Sequence, residues 1–205
     1  MPLLSGHTFT PNSRSYPSVT ANQTGQNYWY GLVAFYPFNG NANDESGYGN
    51  NGTVNGPVLT TDRLGNSDKA YLFDGANDWI KVEDSSSINI NGTSSLTISA
   101  WVYSTDNSGQ RMIVSKWGPG GYEDDQYIIS LSSGKVHAQF GGGPADPYST
   151  QTLETNTWYH VAVVFNYAAQ KLSTYINGSL DNSIDFAFSI PNHARFIEIG
   201  SVDFS

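Results

Sequence analysis

The sequence contains no cysteine, which excludes a disulfide scaffold and a thiolate metal site. Basic residues are scarce as well, since 9 Lys and Arg stand against 18 Asp and Glu, for a formal net charge of -9. Nucleic acids and anionic membranes are bound by clustered Lys and Arg, so we expect neither as a partner. No apolar run approaches the length of a membrane span, and residues 1–18 lack the basic and apolar regions of a secretory signal peptide.

Aromatic and turn-forming residues, by contrast, are plentiful. Of the 205 residues, 38% are hydrophobic and 14% aromatic, which is enough to fill a core and argues against a disordered chain. The 21 glycines, together with abundant Asn, Ser and Thr, indicate many turns. Length and composition therefore fit one large all-β domain, or such a domain with an arm.

The beginning of the chain differs in composition from the rest. No acidic residue precedes Asp44, and residues 1–26 are rich in Pro, Ser, Thr, Asn and Gly, with Pro2, Pro11 and Pro17 as breakers of regular structure. We predict an extended N-terminal arm over residues 1–27, which docks on its own domain, on another copy of the chain or on a protein partner. Residues 28–205 are predicted to form the folded domain.

Short apolar segments separated by turn signals follow from residue 28 onward, and no helical pattern is present. Many short antiparallel strands of this kind are typical of a sandwich or barrel. The predicted strands cover residues 28–38, 69–73, 79–82, 96–103, 111–115, 126–131, 135–140, 158–165, 171–176 and 196–199.

Two turn signals and two alternating segments support this pattern. Asn177-Gly178 is the strongest hairpin signal, and Asp74-Gly75 predicts a second hairpin between the strands that flank it. In the segment 96–103, alternation places Trp101 and Tyr103 on one face and four apolar residues on the other. In the segment 158–165, the residues on one face are Tyr159, Val161, Val163 and Phe165.

The order of these segments resembles that of the laminin-G-like, concanavalin A-like family of jelly rolls over residues 29–205. The resemblance implies an antiparallel β-sandwich jelly roll whose relatives mostly bind glycans or proteins, often with calcium, while a minority cleave glycans. The segments that carry it are Val33-Ala34-Phe35-Tyr36-Pro37-Phe38, Phe73-Asp74-Gly75, Leu96-Thr97-Ile98-Ser99-Ala100-Trp101-Val102, Ile113-Val114-Ser115-Lys116, Trp158-Tyr159-His160-Val161-Ala162, Leu172-Ser173-Thr174-Tyr175-Ile176-Asn177-Gly178 and Ile197-Glu198-Ile199-Gly200.

The resemblance stops early, because family members usually continue past Ile199-Gly200 into a last strand. Here the sequence ends at Ser205. Three alternatives follow: the arm fills the open edge of the sheet, a partner chain fills it, or the sequence is incomplete.

A calcium site is predicted at the acidic segment Glu123-Asp124-Asp125-Gln126, since calcium prefers carboxylate and carbonyl oxygens. The segment is similar to the calcium-binding loop of pentraxins, and this resemblance implies Asp124, Asp125 and Asp203 as ligands. Pentraxins have an acidic residue and an amide directly before the position of Asp203, whereas this sequence has Ser201 and Val202. This difference argues against a site for two calcium ions and leaves a site for one. The alternative is a solvated acidic loop.

A second acidic group offers a weaker metal candidate. It comprises Asp44, Glu45, Asn51, Asp74 and Asp78. Because Asp-Gly is favoured in turns for backbone reasons alone, turn formation is the competing interpretation.

Glycan-binding residues are predicted on two loops rich in Gly and Pro, where aromatic rings stand beside acids. Sugar C–H faces stack on aromatic rings while a few polar groups bind the hydroxyls. The candidates are Trp117, Tyr122, Asp146 and Tyr148, with ordinary packing as the alternative for the rings. Trp79 and Trp158 lie in or beside strands and are predicted to be core or staple residues.

Catalysis is not expected. Hydrolases of this fold place two acids on one strand in a Glu-x-Asp-x-x-Glu type of segment, and the sequence has none. We therefore predict a non-catalytic carbohydrate-binding or adhesion domain that is displayed on the surface of a cell or virion. Calcium is the ion expected to assist binding. The alternative is a decoration protein of a virus or phage that docks through residues 1–27; a glycoside hydrolase with acids from separate loops is the third choice.

Overall fold

The computed structural model describes residues 31–90, 92–118, 126–141, 143 and 146–201. The chain divides into two units between Gly31 and Leu32, and the predicted arm, residues 1–27, lies outside the described residues. The described part has no helix that is long and apolar enough to cross a membrane. Its strands are β1 Gly52–Asn55, β2 Val58–Thr60, β3 Ala70–Leu72, β4 Trp79–Val82, β5 Leu96–Tyr103, β6 Gln110–Lys116, β7 Tyr127–Ser132, β8 Lys135–Phe140, β9 Trp158–Asn166, β10 Lys171–Ile176, β11 Ser179–Asp185 and β12 Ile197–Ile199.

The strands pair antiparallel in two main sheets and one small one. The six-stranded sheet has the order β1-β4-β12-β6-β7-β8, and the four-stranded sheet has the order β11-β10-β9-β5. Strands β2 and β3 pair with each other. This arrangement confirms the predicted all-β, antiparallel sandwich of the jelly-roll type.

Side chains from both main sheets meet in one buried cluster. Strands β7 and β8 contribute to it from the six-stranded sheet, and β9 and β10 from the four-stranded sheet. Phe140, Phe165 and Phe186 pack at its centre, with ring centroids 5.5 to 5.9 Å apart. Close aromatic packing of this kind stabilises a core beyond the area that it buries.

The alternation predicted for β5 and β9 is confirmed. Residues along β5 alternate strictly between half-buried and exposed. Along β9 the buried residues are Tyr159, Val161, Val163 and Phe165. The Asn177-Gly178 hairpin is also present, since both residues have positive φ (52° and 78°) between β10 and β11. Local periodicity was sufficient for these elements because each strand has one face on the core.

The predicted strand over residues 28–38 is wrong for the part that the structure describes, because residues 32–38 form no strand. In this segment the backbone N–H and C=O groups form hydrogen bonds with side chains, and not with a neighbouring strand. Phe35 N donates to Asp44 Oδ1 (2.9 Å), and Val33 O accepts a hydrogen bond from Asn50 Nδ2 (2.7 Å). The apolar residues of this segment are partly buried, except for Phe35, which is exposed; none is covered on both sides.

The predicted hairpin around Asp74-Gly75 is also wrong, although a turn is present. Strand β3 pairs with β2, whereas β4 pairs with β1 and β12, so the two flanking strands belong to different sheets. The turn is stabilised by its own carboxylates: Asp74 N donates to Asp78 Oδ2 (2.9 Å), and Ala76 N donates to Asp74 Oδ1 (2.8 Å).

Candidate functional site

Four rings form two cross-strand pairs on the outer side of the four-stranded sheet. Trp101 lies opposite His160 with ring centroids 5.4 Å apart, and Tyr103 lies opposite Trp158 at the same 5.4 Å. Trp101 is 47% exposed and Tyr103 45%. We call Trp101, Tyr103, Trp158 and His160 the aromatic face. Opposed aromatic side chains stabilise antiparallel pairs, and here they also leave π-surface accessible to solvent.

The backbone around the aromatic face is held from both ends. His160 N donates to Asn177 Oδ1 (3.0 Å), and Asn177 N donates to His160 O (2.7 Å), so the β10–β11 turn holds the first part of β9. At the other end, Asn156 N donates to Ser104 O (2.7 Å) and joins the loop before β9 to the end of β5. The rings therefore project from a braced section of the sheet.

Arg63 extends the aromatic face from the loop between β2 and β3. Its Cζ lies 4.3 Å from the centroid of the Trp101 ring, which is a cation–π contact. The loop is shaped by Asp62, whose Oδ1 accepts hydrogen bonds from Leu64 N (2.8 Å) and Asn66 N (2.9 Å). The pKa of Asp62 is lowered, first by its hydrogen bond with the Asn66 side chain and also by the charge of Arg63.

Tyr148 provides a second exposed aromatic ring, at the β8 edge of the six-stranded sheet. The ring is 44% exposed and stacks on His137, with centroids 4.3 Å apart and an interplanar angle of 17°. The segment 147–149 pairs with β8, because Ala138 N donates to Pro147 O (3.1 Å) and Ser149 N donates to Val136 O (2.7 Å). We call this surface the Tyr148 edge.

His137 is buried beneath Tyr148. Its Nδ1 lies 3.4 Å from both Gln110 Nε2 and Ser130 Oγ, and its buried Nε2 has no hydrogen-bond partner within the described ranges. Burial lowers the pKa of His137, and the nearby charge of Asp146 raises it by less. The neutral imidazole is therefore the form that fits this environment.

The loop that carries Tyr148 is attached to β11. Asn182 Nδ2 donates to Tyr148 O (2.9 Å), and Asp181 accepts hydrogen bonds from Thr150 N (2.7 Å), Thr150 Oγ1 (2.8 Å) and Gln151 N (3.0 Å). Partial burial raises the pKa of Asp181, but these hydrogen bonds lower it by more, so that the net shift is downward. The Tyr148 edge is thus a bridge between the two sheets.

The predicted rim residues are only partly brought together. Trp117 is 8% exposed, so packing accounts for this ring better than a role as an open stacking platform. Lys116 is in register with Tyr127 and Phe140, whereas Tyr148 bridges His137. By strand geometry, this places Trp117 and Tyr148 roughly 20 Å apart.

The remaining predicted ligands are outside the described residues. These are Tyr122, Asp124, Asp125 and Asp203, so the calcium site stays a prediction. Over residues 31–90, 92–118, 126–141, 143 and 146–201, no three His, Asp or Glu side chains are grouped in a way that could hold a metal ion.

Carboxylates of the second acidic group accept hydrogen bonds from backbone N–H groups, as expected for turn formation. Asp44 accepts hydrogen bonds from the backbone N–H groups of Phe35, Ser46 and Asn50, at 2.8 to 2.9 Å. Burial raises the pKa of Asp44, and the hydrogen bonds lower it by more, for a net downward shift. A carboxylate with several N–H donors is stabilised without a metal.

Sequence reasoning missed the aromatic face as a unit. Alternation placed Trp101 and Tyr103 on one face of β5, which is confirmed, and the structure shows that this face is the outer one. Trp158 was predicted to be a core or staple residue, but it is half-buried on the outer side, against Tyr103. The available signal was the alternation of β9, in which Trp158 and His160 occupy the positions between core residues.

Comparison with protein families gives one match, and it covers more than half of the chain. The model described as the concanavalin A-like lectin/glucanases superfamily matches residues 74–203. No curated protein matches the sequence.

Solved structures with a similar fold are distant in sequence. Domain 4 of AbnA, a GH43 extracellular arabinanase from Geobacillus stearothermophilus solved in complex with arabinotriose, is 20% identical, with a TM-score of 0.61 over 82% of each chain. A structure of botulinum neurotoxin type C, whose cell entry is described as dependent on two ganglioside molecules, is 16% identical with a TM-score of 0.56, over 85% of this chain and 44% of that one. A SAP-like pentraxin from Limulus polyphemus is 19% identical and reaches a TM-score of only 0.45, over 56% of this chain and 55% of that chain.

Proposed function

We propose that this chain, which belongs to the concanavalin A-like lectin/glucanases superfamily, is a carbohydrate-binding domain that does not cleave its ligand. The observation that carries the proposal is the exposure of nearly half of each of two large rings, Trp101 and Tyr103, which stand in successive rows of one sheet face. Tyr48 (59%) and Phe35 (38%) are exposed as well, but Trp101 and Tyr103 differ from them because they lie side by side on braced strands, an arrangement that suits contact with a ligand. Aromatic surface with a few placed polar groups is the usual composition of a saccharide site.

A fold shared with a domain that was solved with arabinotriose supports a saccharide as the ligand class. That domain belongs to an extracellular enzyme, and an extracellular setting is accordingly part of the proposal. Binding without cleavage is preferred because the sequence lacks the paired acids on one strand that hydrolases of this fold use. The calcium ion and the alternative role as a virus or phage decoration protein rest on residues outside the described ranges and stay predictions.

The test is a binding screen with the full chain. The protein is applied to an array of soluble polysaccharides and oligosaccharides, and each ligand that is retained is titrated by calorimetry. We expect saturable binding to at least one saccharide and no release of reducing ends after prolonged incubation. Uniformly blank arrays would reject carbohydrate binding, and a catalytic release of reducing ends would reject the non-catalytic assignment.

A further inference from the structure

We infer that the aromatic face, rather than the Tyr148 edge, is the binding surface, and that its ligand is an uncharged polysaccharide chain. This inference rests on the proposed function and adds to it the location of the site and the class of saccharide. It starts from the two ring pairs on the outer side of β5 and β9, which form successive rows of the same sheet face.

The rows are spaced to follow an extended chain. Trp101 and Tyr103 are two residues apart on one strand, as are Trp158 and His160 on its neighbour. Outward side chains at this spacing are roughly 6.6 Å apart. Successive sugar rings of one chain can therefore stack on successive rows.

Small side chains stand next to the first ring pair. The row after Trp101 and His160 consists of Ser99 and Ala162, with Tyr175 on β10 beside them. A row of small residues with aromatic residues on two sides can receive a sugar ring, whereas an obligate protein interface presents a more continuous apolar surface.

The charge of the aromatic face selects an uncharged ligand. Arg63 is its cation, and this guanidinium is already placed over Trp101 and beside Asp62. The protein as a whole carries a formal charge of -9, which repels anionic polysaccharides. None of the outward positions of β5 and β9 is a carboxylate; they are Thr97, Ser99, Trp101, Tyr103, Trp158, His160, Ala162, Val164 and Asn166.

The Tyr148 edge offers less for stacking. Tyr148 is a single ring with one face covered by His137. Two carboxylates are close to it: Asp146 on the same loop, and Asp181 on β11, which binds that loop. One accessible aromatic face supplies less contact than four rings on two strands. The Tyr148 edge therefore serves as the internal control.

The experiment compares two tyrosines of nearly equal exposure, Tyr103 at 45% and Tyr148 at 44%. Tyr103→Ala, Trp101→Ala, Tyr148→Ala and Tyr103→Phe are made in the full chain, and their unfolding temperatures are measured first. Affinity electrophoresis and calorimetry then use arabinan, galactomannan and mixed-linkage β-glucan as uncharged probes and polygalacturonate as the anionic probe. Tyr103→Phe keeps the ring and thus separates loss of stacking from loss of the hydroxyl group, while the unfolding temperatures exclude loss of folding.

We expect at least one uncharged polysaccharide to bind and polygalacturonate not to bind. Tyr103→Ala and Trp101→Ala should weaken binding by about 5- to 10-fold each, while Tyr148→Ala and Tyr103→Phe stay within about twofold of the parent chain. If Tyr148→Ala weakens binding and Tyr103→Ala does not, the assignment of the site is overturned and the proposed function stands. Preferential binding of polygalacturonate overturns the ligand class.

Two further outcomes concern other occupants of the aromatic face. If no saccharide binds the parent chain, the proposed function itself is rejected, and the inference falls with it. If sedimentation shows that the parent chain self-associates and that Trp101→Ala makes it monomeric, the aromatic face is an interface between copies of the chain, and a polysaccharide site there is rejected.

Discussion

His137 and Tyr148 stack face to face across the edge of β8, with ring centroids 4.3 Å apart. The contact closes an edge strand that would otherwise present unpaired backbone groups to other chains. It also covers an imidazole whose pKa is lowered by burial, so the closure of this edge is tied to the protonation state of one side chain.

Acidification should weaken the fold through His137. The folded-state pKa of His137 lies below the usual value for histidine, about 6.5, so the unfolded chain binds the proton more tightly. The stability from this group is complete above about pH 6.5 and is lost as pH falls through 6.5 towards the folded-state pKa. Urea unfolding at pH 7.5, 6.5 and 5.5 should show a falling free energy of unfolding. His137→Gln should flatten that slope; an unchanged slope in the variant would contradict the assignment.

Asp181→Asn should destabilise the bridge between β11 and the Tyr148 loop. Asp181 accepts hydrogen bonds from Thr150 and Gln151, and an amide can accept only part of them. We expect a loss of about 1–2 kcal/mol in the free energy of unfolding. Asp185→Asn is the matched control, because Asp185 pairs with Lys171 at an exposed site and should change stability by less than about 1 kcal/mol. Equal effects of the two variants would refute the bridging role.

Lys116→Met should destabilise the domain although methionine keeps most of the apolar length of the lysine side chain. Lys116 is fully buried, and its Nζ donates to Ile88 O (3.2 Å) and Asn89 Oδ1 (2.5 Å), with Asp84 Oδ1 at 3.6 Å. Methionine would leave these acceptors without a donor, at a cost of about 1–3 kcal/mol. Thermal unfolding measures the loss, with the exposed Lys171→Met as the control; a Lys116→Met variant as stable as the parent would show that the acceptors are satisfied otherwise.

Calcium should raise the unfolding temperature if the sequence-based metal site exists. Binding to the folded state alone stabilises by about 2.7 kcal/mol at a concentration 100 times the dissociation constant. The rise should be reversed by chelator and absent from Asp124→Asn and Asp125→Asn. Magnesium serves as the ion control, because it dehydrates reluctantly and fits an all-protein site less well. No shift with calcium in the parent chain would remove the metal prediction.

Prediction from sequence succeeded where one face of a strand lies on the core. Strands β4, β5, β8 and β10 have the predicted boundaries, because their alternation or their turns are local signals. It failed for β1 and β2, which have only four and three residues and are too short for alternation to distinguish a strand from a loop. It also failed for residues 32–38, where side chains of a following loop took the hydrogen bonds that a neighbouring strand would have made.

The amino-acid sequence alone determined which face of β5 and β9 carries each side chain, because alternation is a property of the pleated backbone and needs no partner. Only the tertiary structure decided that Trp101 stands opposite His160, that Tyr103 stands opposite Trp158 and that Arg63 covers the first of these pairs. Those neighbours are distant in the chain, and the choice among strand partners depends on how the whole set of apolar faces is buried at once. A binding surface assembled across strands is therefore decided by packing, although each of its residues is placed on its face by local pattern.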